Sequence, residues 1–111
     1  MQTEKIVLTT TVRAAAPLTR LRFVGFDGGL PAAGAAVLGV ANTHYDMGED
    51  AGVNVRGELL VEAAGAIDVG ALVETNAEGR AVEAAANSTN VAVGRARDAS
   101  AQGGDYIRVL I

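Results

Sequence analysis

The sequence predicts an all-β fold: a small single-domain β-barrel or β-sandwich of about eight short strands, preceded by a flexible N-terminal arm. Three observations predict it. Apolar and polar residues alternate with period two in several short windows, and a strand places alternate side chains on opposite faces. Turn signals rich in Gly, Asp and Asn separate these windows at regular spacing. No window carries a sustained 3.6-residue apolar stripe, so helix should account for under about a tenth of the chain. The 111 residues suffice for one compact domain and fall short of two ordinary ones. The expected organisation is an arm over residues 1–4 and one β-rich domain over residues 5–111.

In chain order, Met1-Gln2-Thr3-Glu4 is polar and lacks any feature to fix it, and chain ends are loose unless docked. Lys5 to Val12 is the first strand, with Ile6, Leu8, Thr10 and Val12 on one face and β-branched residues that suit a pleated surface. Ala14-Ala15-Ala16-Pro17 breaks the pattern, because Pro17 cannot donate to a ladder. Arg20 to Phe26 is the next strand, ended by the turn Asp27-Gly28-Gly29. Ala35 to Ala41 is an apolar run suited to a strand buried on both faces, and a polar loop follows from Asn42 to Gly52.

Val53 to Ala63 is the organising strand. Val53, Val55, Leu59, Val61 and Ala63 share its buried face, and Asn54, Arg56, Glu58 and Glu62 share its wet face. Gly57 at the centre marks a bulge or a close backbone approach. Ala71 to Thr75 and Arg80 to Ala84 form a hairpin around Asn76-Ala77-Glu78-Gly79. Ala84 to Ala86 suits one helical turn. Val91 to Arg97 and Asp105 to Ile111 are the closing strands.

The two halves of the chain echo each other. Arg22-Phe23-Val24 resembles Ala71-Leu72-Val73, Val37 to Ala41 resembles Ala92 to Ala96, and Val53-Asn54-Val55 resembles Ile107-Arg108-Val109. A decayed duplication accounts for this, and so do two similar β-units of one barrel or sandwich.

Composition narrows the function. Half of the chain is hydrophobic but only 4% is aromatic, so the core must be built from small branched side chains. There is no cysteine, hence no disulfide and no thiolate site. A net charge of −4 argues against a general nucleic-acid binder. No apolar run approaches the ~18 residues of a membrane span, and the N-terminus lacks the layout of a signal peptide. The single histidine, His44, lies among Asp46, Glu49 and Asp50, but the spacing does not match a calcium loop, and one histidine makes no zinc set. A solvated acidic loop is the expectation there. Ser88 and Ser100 are the only serines, and neither sits in a nucleophile elbow. Gly25-Phe26-Asp27-Gly28-Gly29 carries no lysine and opens no helix, so it is not a phosphate loop. No catalytic residue, metal or cofactor is expected, and the chain is not expected to be an enzyme. Arg13, Arg20 and Arg22 cluster early and Arg95 and Arg97 share a strand face; arginine is the better interface residue because its planar fork pairs with carboxylates in two places.

The succession Phe23-Val24-Gly25-Phe26-Asp27-Gly28-Gly29, then Ala36 to Ala41, Gly48 to Gly57, Ala66 to Thr75, Val93 to Ala96 and Gly104 to Ile111, resembles the capsid cement (head decoration) proteins of tailed bacteriophages. The resemblance covers roughly residues 5–111. It implies a β-rich subunit that binds the outer surface of an icosahedral head, contacts the major capsid protein and stabilises the shell against packaged DNA. It brings no catalytic residues. The implied partners are the major capsid protein and further copies of the chain, as dimer or trimer, with no direct nucleic acid and no membrane. The implied place is the virion, after synthesis in the bacterial host cytoplasm. The candidate interface residues are Gln2, Thr3, Glu4 and Lys5 from the arm and its strand, with Arg13, Arg20, Arg22, Arg95 and Arg97. The alternative is a stand-alone β-barrel module for a carbohydrate or other small ligand, for which Phe23, Phe26, Tyr45 and Tyr106 are the whole aromatic supply.

Overall fold

The computed structural model describes residues 3–111. Among these there is no helix, and all eight strands join one antiparallel sheet. The strands are β1 (Lys5–Arg13), β2 (Phe23–Val24), β3 (Gly39–Ala41), β4 (Asp50–Glu62), β5 (Leu72–Thr75), β6 (Ala81–Glu83), β7 (Gly94–Ala96) and β8 (Tyr106–Leu110). Their order is β2-β3-β4-β8-β7-β5-β6, with β1 on β4 off that path. The sheet does not close into a barrel, as no ladder joins β6 to β2.

Several strands are shorter than the alternation suggests. The second keeps only Phe23 and Val24: ahead of it Leu21 holds a left-handed φ of 64° that no strand accommodates, and behind it the chain turns at Gly25, whose N–H donates to the Gly29 carbonyl at 2.8 Å. The run from Ala35 pairs only from Gly39, although all three residues of β3 are buried as expected. The strand expected from Val91 pairs only from Gly94 to Ala96. At Ala84 to Ala86 there is no helix; the Ser88 N–H donates to the Ala85 carbonyl at 3.0 Å and closes a turn. The hairpin turn at Asn76 to Gly79 forms as expected, with the Asn76 N–H on the Arg80 carbonyl at 2.9 Å.

β4 is the hub, because it meets β1, β3 and β8. Val53, Leu59, Val61 and Ala63 are fully buried, and Val55 is half-buried. The wet face departs from expectation at two positions. Asn54 is buried because its side-chain oxygen accepts the Thr9 hydroxyl at 2.8 Å, and Glu62 is buried between two arginines. Gly57 has φ 126°, and a side chain there would stand 2.0 Å from the Lys5 carbonyl oxygen, so it is the close approach that the sequence marked.

Two apolar clusters divide the interior. The larger gathers Phe23, Val40, Leu59, Val61, Ile67, Val73, Ile107 and Val109 with three alanines. The smaller gathers Leu18, Val24 and Val53 with Ala14, Ala41 and Ala51. At roughly 1.5–3 kcal/mol per fully buried large apolar side chain, the larger cluster supplies most of the driving force.

The echo between the halves reappears as one pairing scheme used twice. In the N-terminal unit, Thr9 to Arg13 pair with Asn54 to Asp50; in the C-terminal unit, Glu58 to Glu62 pair with Leu110 to Tyr106. Phe23↔Val40 and Val24↔Gly39 correspond to Leu72↔Arg95 and Val73↔Gly94. Val40↔Asn54 and Ala41↔Val53 correspond to Arg95↔Leu110 and Ala96↔Val109. The bridges Leu18↔Tyr45 and Ile67↔Ser100 match as well. β4 is therefore two strands of the scheme fused end to end. Its first half closes the N-terminal unit on β1, and its second half opens the C-terminal unit under β8. The first two echoes align as the sequence places them. The third is displaced by one turn of the pleat, since Val53 corresponds to Val109.

Candidate interaction surfaces

Charged side chains come first, because they were the expected contacts. Arg22 is not free. Its Nε lies 3.3 Å from Glu62 Oε1, and Arg80 Nε lies 2.9 Å from Glu62 Oε2 as a close charge pair that is not aligned as a hydrogen bond. The three side chains pin β2, β4 and the β5–β6 hairpin together, so Arg22 is a structural staple. Arg97 pairs with Glu58 at 3.1 Å, and Arg95 Nη1 donates to the Gly70 carbonyl at 2.9 Å. Arg13 stands beside Asp50 at 3.9 Å in full solvent, a pair of little energetic weight. The exposed Arg20 donates its backbone N–H to His44 Nδ1 at 3.3 Å.

At the N-terminus, Thr3 is exposed, and the Glu4 carboxylate accepts the Leu60 N–H of β4 at 2.9 Å. Lys5 opens β1 and is exposed. Gln2 lies outside the described residues.

Two polar clusters escaped the sequence. Asp98 accepts the Arg108 N–H and both guanidinium contacts at 2.8–2.9 Å, and this hydrogen bonding holds its carboxyl down at about 2. Glu74, buried on β5, accepts the Ser88 hydroxyl and the Asn90 side-chain amide, which ties the β6–β7 loop to the sheet. Both are carboxylates separated by many residues from their partners, which no local spacing signals. In the acidic loop, Glu49 accepts the Asp46 N–H at 2.6 Å, and His44 is exposed. Among the described residues, no three His, Cys, Asp or Glu side chains gather as a cation site.

The surface that stands out is apolar. Every residue of β1 but Val12 is exposed, and Ile6, Val7 and Leu8 are large, with Val7 79% accessible. Two shallow cavities flank this strand. One is lined by Leu8, Phe26, Val37, Val91, Val93 and Ile111, the other by Val7, Gly57, Leu110 and Ile111. They meet at Arg56 and Ile111, so apolar surface runs from β1 over the loop after β2 to the end of β8, with Lys5, Arg56 and Glu58 set among it. Contiguous exposed apolar surface of this kind marks an interaction site. The alternation on β1 was visible in the sequence, but that the strand would meet a core only at Val12 was not.

The chain is similar to the head fiber gp8.5 N base of bacteriophage phi29, with a TM-score of 0.74 and 25% identity over 94% of this chain and 92% of that one. Fold, surface and this likeness together define a class: an all-β structural protein of a phage head. A family model described as phage cement protein matches residues 1–111, and the chain belongs to that family. No match is found among curated proteins.

Proposed function

We propose that this capsid protein binds the outer surface of an icosahedral phage head, contacts the major capsid protein and stabilises the shell against the pressure of packaged DNA. The observation that carries the reading is the apolar band on β1, Phe26, Val91 and Leu110, on a chain of the phage cement protein family. Burying such surface is favourable at roughly 25 cal/mol per Å². A subunit that binds only the closed shell shifts the equilibrium toward it by mass action. Thr3, Glu4, Lys5, Arg13, Arg20, Arg95 and Arg97 make up the polar surround of the contact, with Gln2 ahead of them. The domain then runs over residues 5–111 with a short docking arm over 1–4. The protein works without catalysis and acts in the virion, as more than one copy, after synthesis in the host cytoplasm.

The test uses heads stripped of this protein. Purified protein should co-sediment with them to saturation and raise the temperature at which they release DNA. Absence of binding to intact heads overturns the reading.

A further inference from the structure

Arg56 is exposed at the junction of the two cavities beside β1, since it lines both, and Lys5 lines the second. Most other cations are already engaged. Arg13, Arg22, Arg80, Arg97 and Arg108 each stand beside a carboxylate, and Arg95 donates to the Gly70 carbonyl. Arg20 lines neither cavity. Among the described residues, no carboxylate stands within ion-pair distance of Arg56 or Lys5. Glu58 shares the second cavity, but Arg97 holds its carboxylate at 3.1 Å. The apolar surface therefore has an uncompensated positive centre, on a chain whose net charge is −4.

A partner that covers both cavities also covers Arg56. Taking an unpaired guanidinium out of water is costly, and a carboxylate brought beside it offsets that cost through a charge-assisted, bidentate pair. With water excluded, such a pair is stronger than on an open surface. A second copy set face to face through the same surface would bring Arg56 and Lys5 against their own equivalents. Like charges held together oppose that isologous contact. Charge thus favours an acidic partner over a symmetric copy.

We infer that the occupant is a segment of the capsid surface that carries a carboxylate next to an apolar side chain. The apolar side chain enters the cavity between Leu8, Phe26, Val37 and Val93, and the carboxylate pairs with Arg56 at its rim. Lys5 adds attraction from the outer end of β1. Apolar area supplies affinity, and Arg56 sets which segment fits, because a segment without the carboxylate leaves a covered charge unpaired. The inference rests on head binding through β1 and names the chemistry of what is bound there.

The test titrates stripped heads with wild-type protein, Arg56→Met and Arg56→Glu, after thermal melts show that all three fold alike. Arg56→Met keeps an apolar stem and removes the charge. It should weaken binding about tenfold or more, and Arg56→Glu further still. Wild-type affinity should fall as salt is raised and that of Arg56→Met should change less, a difference that a packing role alone does not produce. Variants that match the wild type at every salt concentration would overturn this inference and leave head binding standing. Wild-type protein that fails to bind heads would overturn both. Self-association without heads that Val7→Asp and Arg56→Glu each abolish would also overturn the inference, because the chain's own exposed Met47, beside Asp46, would then be the segment that fills the cavity.

Discussion

β1 and the second half of β4 occupy the same place in two copies of one pairing scheme, yet one lies in water and the other in the core. Thr10 corresponds to Leu59 and Val12 to Val61. Leu59 and Val61 are fully buried under residues from both units, whereas Thr10 is exposed and Val12 half-buried. The backbone hydrogen bonding is equivalent, so pairing does not decide burial. What decides it is whether another layer covers the strand. The N-terminal unit lends Phe23 and Val40 to the larger cluster and keeps for itself a smaller one that reaches only Val12 of β1. A β-branched strand such as Lys5 to Arg13 tolerates this exposure, because ladder bonds to β4 hold it without a core.

The sharpest way to break the comparison is a matched pair of charges. Leu59→Asp should abolish folding, since it leaves an unpaired charge in the larger cluster. Thr10→Asp at the corresponding position should cost about 1 kcal/mol or less, read by urea denaturation. Equal losses would show that β1 is covered in the free protein.

Next in size is a pair that should behave alike. A side chain on Gly39 would stand 2.2 Å from the Asn54 carbonyl oxygen, and one on Gly94 would stand 2.0 Å from the Leu110 carbonyl oxygen. Gly39→Ala and Gly94→Ala should each push a ladder apart and cost about 1–3 kcal/mol. A silent change at one site would mean that the two units pair differently there.

The ends of the corresponding strands separate again. Glu62→Gln leaves Arg22 and Arg80 without their counter-charge and should cost about 1–3 kcal/mol. Arg13→Gln, its counterpart, should change stability by no more than about 0.5 kcal/mol. Denaturation midpoints measured side by side check both.

The smallest effect concerns pH. Asp98 titrates lower in the folded chain, at about 2, than its ordinary 3.8, chiefly because Arg108 hydrogen-bonds the ionised form. Its contribution is therefore present above about pH 4 and is lost as pH falls toward 2. Asp98→Asn should flatten the acid limb of stability in that window and leave neutral pH dependence alone, as followed by thermal melts.

Period-two patterning made most of the strands and the buried face of β4 legible, an apolar run marked β3, and turn residues marked the hairpin, because each is a local property of the sequence. The echo between Val37–Ala41 and Ala92–Ala96 was legible for the same reason, and it pointed to a real correspondence of registers. What stayed hidden depends on partners far along the chain. Arg22 reads as a surface arginine until Glu62 is brought beside it, and Glu74, Ser88 and Asn90 read as unrelated polar residues. Leu21 shortened a strand by adopting a backbone conformation whose counterpart is Gly70, at φ 83°, and leucine gives no local signal for it. Of the proposed contact, Lys5 and the strand after it could be named from the sequence, while the exposure of Ile6, Val7 and Leu8 on that strand could not.

The most direct measurement titrates stripped heads with wild-type protein and with Val7→Asp, after showing that the two melt at the same temperature. The account predicts unchanged folding and at least about a tenfold loss of head affinity, the equivalent of about 1.4 kcal/mol. Equal affinities would contradict it, and would mean that the exposed face of β1 has no part in holding the shell.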